Sequence, residues 1–340
     1  MKIFAFSDLH AHNFPEFSCI NGDGLNSRFA SQIEALQLFR KDCHEGQADL
    51  ITFSGDVFHL KNFVDSQVLR SVMQEFKLLS EIAPVVVCPG NHDMRGWQSD
   101  PTLINAFEDF LPSIIIPKDE GYKIKGWTIR IFPFVRQVDG LVQRLQDMPR
   151  QEKTIGLFHQ DIVGMNYNGF TVIKGIPAEL ISRKFTYGLF GHYHGMTKVA
   201  ENVYVVGSPL ELNFGEIGQK KGWVIIDSDQ GKIWERENVL SPRFHDVILE
   251  EGESFNKGFN ATQLDRDYFR IKVKGDKVPE DVGSAKWRRI SIETKNIKPE
   301  RGDLKLSDPS DALIRKYVKA KGVEDKEMAE KLIELGKRYL

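Results

Sequence analysis

The sequence predicts an α/β fold, a sheet layered by helices. Two observations predict it. Short apolar runs alternate with segments of helical periodicity over the first two-thirds of the chain, and small polar clusters close the runs, as loops do at strand ends. Composition agrees: 340 residues, 41% hydrophobic and 28% charged, suffice for two or three domains with sizeable cores and exclude wholesale disorder.

Residues 3–6 form the first expected strand, ending at Ser7-Asp8. Residues 28–43 carry Phe29, Ile33, Leu36 and Phe39 at helical spacing. Residues 49–53 make a second strand, closed by Ser54-Gly55-Asp56, and 65–82 a helix with Val68, Val72, Phe76 and Leu79 on one face. The valine-rich strand 84–88 stops at Pro89-Gly90-Asn91. Strands then dominate, at 127–132, 154–158, 186–190, 203–206 and 223–226. Their continuous apolar character suits buried central strands, although periodicity alone leaves short buried helices open.

Composition shifts near Leu240-Ser241-Pro242. Residues 1–240 are expected to form the first domain, and 241–297 a smaller α+β domain with runs at 244–249 and 268–273. Residues 298–309, with two prolines, a glycine and mixed charge, are expected to be a linker. The tail 310–340 shows two helical patterns, one with Leu313, Ile314, Tyr317 and Val318, the other with Met328, Leu332 and Leu335. Helices of about 12–15 residues are marginal alone in water, so this pair needs a surface to dock on.

Charge and cysteine content exclude several classes. With 46 Lys+Arg against 48 Asp+Glu, nothing draws the whole chain to nucleic acid, and any such binding needs a local patch. Lys286-Trp287-Arg288-Arg289 offers one, although it also reads as a solvated strand end. Cys19, Cys43 and Cys88 make neither a disulfide scaffold nor a zinc knuckle. With no signal-peptide pattern and no apolar run near the roughly 20 residues that span a bilayer, a reducing, cytoplasmic location without membrane contact is expected.

The histidines carry the chemistry. His10, His59, His92, His159, His192 and His194 sit beside polar residues just after expected strands, where α/β sheets place ligands. Asp8-Leu9-His10 follows the first strand, and residues two apart on an extended segment face the same way, so both are expected to reach one ion. Gly55-Asp56 follows the second strand, Gly90-Asn91-His92-Asp93 the third, His159 a later one, and Gly191-His192-Tyr193-His194 another. Each piece is weak alone; the ordered set, one member per strand, carries the weight. Carboxylates, an amide and imidazoles without a thiolate disfavour iron–sulfur and structural zinc sites and suit Mn²⁺, Fe²⁺ or Zn²⁺. The donors are too many for one ion and enough for two, the arrangement that phosphoester hydrolysis uses.

These motifs, in this order, resemble the calcineurin-like binuclear metallophosphoesterases over roughly residues 1–230. Gly55-Asp56-Val57-Phe58-His59, and Gly207-Ser208-Pro209 followed by Phe214-Gly215-Glu216, resemble the SbcD-type double-strand-break-repair nucleases, including subunits encoded by bacteriophages. The resemblance implies a layered α/β/β/α core, a small α+β DNA-capping domain at 241–297, and a C-terminal helical pair at 310–340 that docks on the coiled coil of an SbcC-type ABC ATPase. It implies that Asp8, His10, Asp56 and His194 hold one metal, and Asp56, Asn91, His159 and His192 a second. The implied ion is manganese, with Mg²⁺, Fe²⁺ and Zn²⁺ as alternatives. His92 would contact the phosphate or protonate the leaving oxygen, with Asp93 holding its ring, and His59 would position the DNA backbone. The implied activity is 3′-to-5′ exonuclease plus endonuclease on single strands and hairpins, in DNA repair, recombination and replication, with DNA ends and junctions as targets. A homodimer is implied, through helices such as 65–82 or 102–110. Two readings stand against this one: a phosphodiesterase for a small phosphodiester or a phosphoprotein, and a scaffold that keeps the fold without catalysis. A complete ligand set speaks against the scaffold.

Overall fold

The computed structural model describes residues 1–94, 104, 107, 111, 113–116, 121–167, 170–275, 277–293 and 330. The expected linker 298–309 and helical pair 310–340 lie outside the described residues apart from Glu330, and the segment 102–110 lies outside them apart from Ile104 and Phe107.

The chain opens with β1 (Lys2–Phe6), α1 (Ser27–Glu45), β2 (Leu50–Phe53), α2 (Ser66–Ser80), β3 (Val85–Val87) and β4 (Ile114–Ile115). It continues through β5 (Tyr122–Ile124), β6 (Trp127–Phe132), α3 (Val138–Asp147), β7 (Gln151–His159), β8 (Asn166–Tyr167), β9 (Phe170–Thr171), α4 (Ala178–Lys184) and β10 (Phe185–Gly191). Then come β11 (Thr197–Ala200), β12 (Val203–Val205), β13 (Gly222–Asp227), β14 (Lys232–Glu237), β15 (Phe244–Leu249), α5 (Ala261–Arg266), β16 (Tyr268–Lys274) and β17 (Trp287–Glu293).

Two six-stranded sheets result, ordered β14-β13-β1-β2-β3-β4 and β11-β12-β10-β7-β6-β5. β1 to β4 run parallel, as do β6, β7, β10 and β12. Antiparallel strands flank both sets: β13 beside β1, β5 beside β6 and β11 beside β12. The side-chain period of two explains the layers. On β1, Ile3 and Ala5 join Ile155, Leu157 and Leu189 of the other sheet in one buried cluster, while Phe4 and Phe6 join Phe29, Phe39, Val72 and Phe76 of α1 and α2. On the far side, Phe158 and Phe190 pack with Leu141 and Leu145 of α3 and Leu180 and Ile181 of α4. The order is therefore helix, sheet, sheet, helix, the layered α/β/β/α architecture.

Local chemistry sets the helix ends. Asn26 caps α1 by accepting from the Arg28 and Phe29 amides, and Asp65 caps α2 by accepting from Gln67 and Val68, each cap contributing about 1 kcal/mol. By packing, residues 1–247, 256–270 and 283–289 form one unit, which holds both large sheets. The described residues of 248–255, 271–282 and 290–293 fall in the second, which buries Phe255, Ile271, Val273 and Val282. Among the described residues no helix is long and apolar enough to cross a membrane.

Candidate metal centre

Five parallel strands, β1, β2, β3, β7 and β10, end at one edge of the layered sheets, where each is followed by, or ends in, one of the histidine or acid motifs. The backbone there is bent. Asp8 (φ 49°), His10 (φ 47°), Asp56 (φ 57°) and His192 (φ 83°) are four of the eight non-glycine residues with positive φ among those described. Such conformations cost roughly 1–3 kcal/mol each and persist where the surroundings enforce them. Here the surroundings are visible: the Asp8 amide donates to the Gly55 carbonyl at 3.0 Å, His10 to Asp56 at 3.0 Å, and His192 to the Asp8 carboxylate at 3.0 Å. Asp8 and His10 thus do not meet by standing two apart on an extended strand. Each turns through left-handed backbone, and the loop after β1 is laced to the loop after β2.

The side chains converge through atoms that can ligate metal. His159 Nδ1 lies 2.7 Å from the Ser54 carbonyl, so that nitrogen carries a proton and Nε2 is the one turned to the centre. Nε2 faces two oxygens, Asn91 Oδ1 at 3.0 Å and Asp56 Oδ2 at 3.4 Å. His194 Nδ1 donates to Glu216 Oε1 at 2.8 Å, which leaves its Nε2 facing His10 Nε2 at 3.1 Å. Asn91 Oδ1 also meets His192 Nδ1 at 3.0 Å, and His10 Nε2 lies 3.4 Å from Asp56 Oδ2. Asp8, His10 and His194 offer ligand atoms within 4.8 Å of one another, as do Asp8, Asp56 and His159. Lone pairs gathered in this way repel unless a proton or a metal cation lies among them, so the donor set fits divalent metal.

The electrostatics say the same. Burial pushes the Asp8 carboxyl up, with the His159 and His194 charges pulling against it. Burial also opposes ionisation of Asp56, but the imidazoles around it, His159 foremost, outweigh that and hold it well below the usual carboxylate range. Burial would lower His159, yet the Asp56 charge and hydrogen bond lift it to about 9. A proton there does what a metal would do, balancing buried carboxylate charge.

His92 and His59 stand together, rings stacked at 5.7 Å and 21°, and the His92 ring nitrogen Nδ1 meets the His59 carbonyl. Burial, followed by the His92 charge, lowers His59 to about 4. Asp93 does not hold the His92 ring, as the resemblance implied. Its carboxylate points the other way and accepts three main-chain N–H bonds, from Asp56 (2.8 Å), Val57 (2.9 Å) and Gly90 (2.8 Å). The reason is geometric: adjacent residues on a tight turn project apart, so the acid next to the histidine buttresses the Asp56 loop.

All of this opens on a cleft of about 620 Å³, whose lining includes His10, Asp56, His59, Asn91, His92 and His194 together with Phe14, Glu16, Arg28 and Leu212. Sequence reasoning gave Glu216, Lys221 and Asp161 no role. Glu216 receives His194 and the fully buried Lys221 at 2.7 Å, and Asp161 receives the Tyr193 hydroxyl at 2.9 Å and lies 3.4 Å from His192 Nε2. Only Glu216 had a signal, the Phe214-Gly215-Glu216 segment.

The calcineurin-like phosphoesterase family matches residues 1–196, more than half of the chain. A protein of Invertebrate iridescent virus 6 named as a phosphoesterase is 24% identical over 215 residues, covering 60% of this chain and 74% of its own. An uncharacterised protein of Acanthamoeba polyphaga mimivirus is 41% identical over 44 residues, 13% of this chain and 3% of that one. Among solved structures, a purple acid phosphatase from yellow lupin (Lupinus luteus) seeds aligns with a TM-score of 0.37 at 14% identity, over 69% of this chain and 52% of its own.

Proposed function

The chain belongs to the calcineurin-like phosphoesterase family, and from that premise we propose that it is a metal-dependent DNA nuclease, the SbcD-type subunit of a repair and recombination complex. The observation that carries the reading is the meeting of metal-ligating side chains at an open cleft that the His92 imidazole also lines. Asp8, His10, Asp56 and His194 would hold one divalent cation, and Asp56, Asn91, His159 and His192 another. Bound there, the cations supply a water nucleophile at neutral pH and positive charge for the phosphate oxygens.

The chain's own residues do the rest. The hydrogen bonds that His159 Nδ1 donates to the Ser54 carbonyl and His194 Nδ1 donates to the Glu216 carboxylate set each ring's orientation, so that Nε2 faces the centre. The His59 carbonyl occupies His92 Nδ1, which leaves Nε2 for the phosphate or the leaving oxygen. The His59 ring stacks on His92 and limits its rotation. The cleft's opening to solvent and the Gly55–His59 motif support DNA as substrate. Manganese as the working ion, a homodimer, and an SbcC-type ATPase held through 310–340 belong to the same reading.

The test is Mn²⁺-dependent release of nucleotides from duplex ends. His92→Ala is expected to bind both metals yet lose about 10²–10⁴ in rate, the usual range for a positioned acid or base. Wild-type cleavage by that variant would refute the role of His92. Turnover of an aryl phosphodiester with DNA left intact would favour a small-phosphodiester or phosphoprotein enzyme instead.

A further inference from the structure

Arg28 is an anomaly on grounds of folding alone. It is 8% exposed, with its guanidinium carbon 4.4 Å from the Phe14 ring centre and 5.4 Å from those of Phe244 and Tyr268. Nη2 donates to the Leu212 carbonyl at 2.6 Å and Nη1 to the Glu16 carbonyl at 3.4 Å. Among the described residues no carboxylate comes within ion-pair distance: Glu16 and Glu216 act on it only through space, and the Glu216 oxygens are engaged by His194, Lys221, Leu212 and Asn213. Burying a cation without a partner charge is expensive. It also lies in the first turn of α1, the positive end of the helix dipole, where an anion is favoured and a cation is not. Two carbonyls, the Tyr268 hydroxyl and three aromatic faces hold the guanidinium, and no carboxylate neutralises it there.

Arg28 lines the same cleft as His10, Asp56 and His92. A chain of ring contacts leads from it to the histidines: the guanidinium carbon lies 4.4 Å from the Phe14 ring centre, the Phe14 and His59 ring centres are 4.9 Å apart, and His59 stacks on His92. A planar, permanently charged fork suits a phosphate diester held by two parallel hydrogen bonds. The scissile phosphate belongs at the donor cluster, from which Arg28 is separated by the Phe14 and His59 rings in turn, so the anion it would take is a different linkage of the same strand.

We propose that Arg28 is a substrate-binding residue that grips a phosphodiester linkage neighbouring the one cleaved, so that the cleft measures a polynucleotide rather than a single ester. This rests on the nuclease reading above. The aromatic cage sets the direction of the fork before substrate arrives, and the missing carboxylate leaves its charge available.

The experiment alters the substrate as well as the protein. Oligonucleotides carry one neutral methylphosphonate at the first, second or third linkage beyond the scissile bond, and KM and kcat are measured with Mn²⁺ for wild type and Arg28→Met. In wild type one position is expected to raise KM by about tenfold to a hundredfold, the worth of a charge-assisted hydrogen bond, with kcat little changed. In Arg28→Met that position should cost nothing more, because the partner charge is already gone. Arg28→Lys, which keeps the charge without the fork, should recover part of the discrimination. If the same linkage discriminates equally in wild type and Arg28→Met, or none does in wild type, Arg28 is a structural strut. If wild type leaves every oligonucleotide intact while hydrolysing an aryl phosphodiester, the nuclease reading fails, and the linkage assigned to Arg28 goes with it.

Discussion

Asp93 offers a sharp test of how the centre is held. Its carboxylate is 2% exposed and accepts the main-chain N–H groups of Asp56, Val57 and Gly90. Removing it in Asp93→Ala orphans all three buried donors, at about 1–3 kcal/mol each, or roughly 3–9 kcal/mol together. Against a usual domain stability of about 5–15 kcal/mol, that variant stands near unfolding. Asp93→Asn is the informative change. The amide keeps one oxygen, which can accept two of the three bonds, and turns an N–H group toward the third donor. The expected loss is about 1–3 kcal/mol from the orphaned donor, with the remaining bonds weakened by loss of the charge. Because two of the three amides belong to Asp56 and Val57, the Asp56 loop loosens too, and Mn²⁺ affinity should fall by about 10–100-fold, as when outer partners of ligands are lost. Urea unfolding gives the first quantity and Mn²⁺ titration calorimetry the second. Unchanged unfolding free energy and metal affinity, with a displaced pH–rate profile, would show that the carboxylate serves the His92 ring after all.

Three further outcomes are expected. A Cβ at Gly90 would strike the Asp56 carboxylate and the Asp56 main-chain nitrogen, so Gly90→Ala should abolish stoichiometric Mn²⁺ binding; normal binding by calorimetry would contradict the tight fit. Burial opposes ionisation of Glu216, but the His194 hydrogen bond and the Lys221 charge overcome it and depress the carboxyl to about 2 from an ordinary 4.5. Its contribution to stability is therefore present above about pH 4.5 and lost as pH falls toward 2, and Glu216→Gln should flatten acid unfolding over that interval, read from urea midpoints at stepped pH. Saturating Mn²⁺ should stabilise the fold by about 2.7 kcal/mol at a hundredfold excess over Kd, and chelation with EDTA should reverse this in thermal melts; a melting temperature indifferent to both would argue against a preformed centre.

Much of this was legible in the sequence, for physical reasons. Buried parallel strands must be apolar on both faces, so residues 3–6, 49–53, 84–88 and 154–158 stand out in a string of letters, and the structure places strands there. Elements with little to bury do not stand out. β14 is a charged edge strand with Trp234 44% exposed, α4 has seven residues, and α3 buries only Leu141 and Leu145, so none was anticipated. Metal-ligand candidates announce themselves because their side chains are chemically unusual at strand ends. Their supports are silent. The group that fixes the tautomer of His159 is the main-chain carbonyl of Ser54, 105 positions away, and a carbonyl has no letter.

Adjacency in sequence was the weaker guide, in a consistent way. Asp93 stands next to His92 and was expected to hold it, yet a turn sends the two side chains apart and gives the acid to the backbone. Asp8 and His10 stand two apart and were expected to share a strand face, yet both sit at positive φ and reach the site by bending. In each case the backbone of the loops, rather than the period of a strand, decides where a side chain goes. Loops have few apolar contacts of their own to enforce such conformations; here they are enforced by hydrogen bonds between one loop and the next, Asp8 to Gly55, His10 to Asp56, Asp56 to Asp93 and His192 to Asp8. Ligand placement is thus a shared property of four loops. Loosening any one of them should disturb donors on the others; the Asp93 variants act on that linkage rather than on a metal ligand itself, whereas Gly90→Ala presses on the linkage and on the Asp56 carboxylate together.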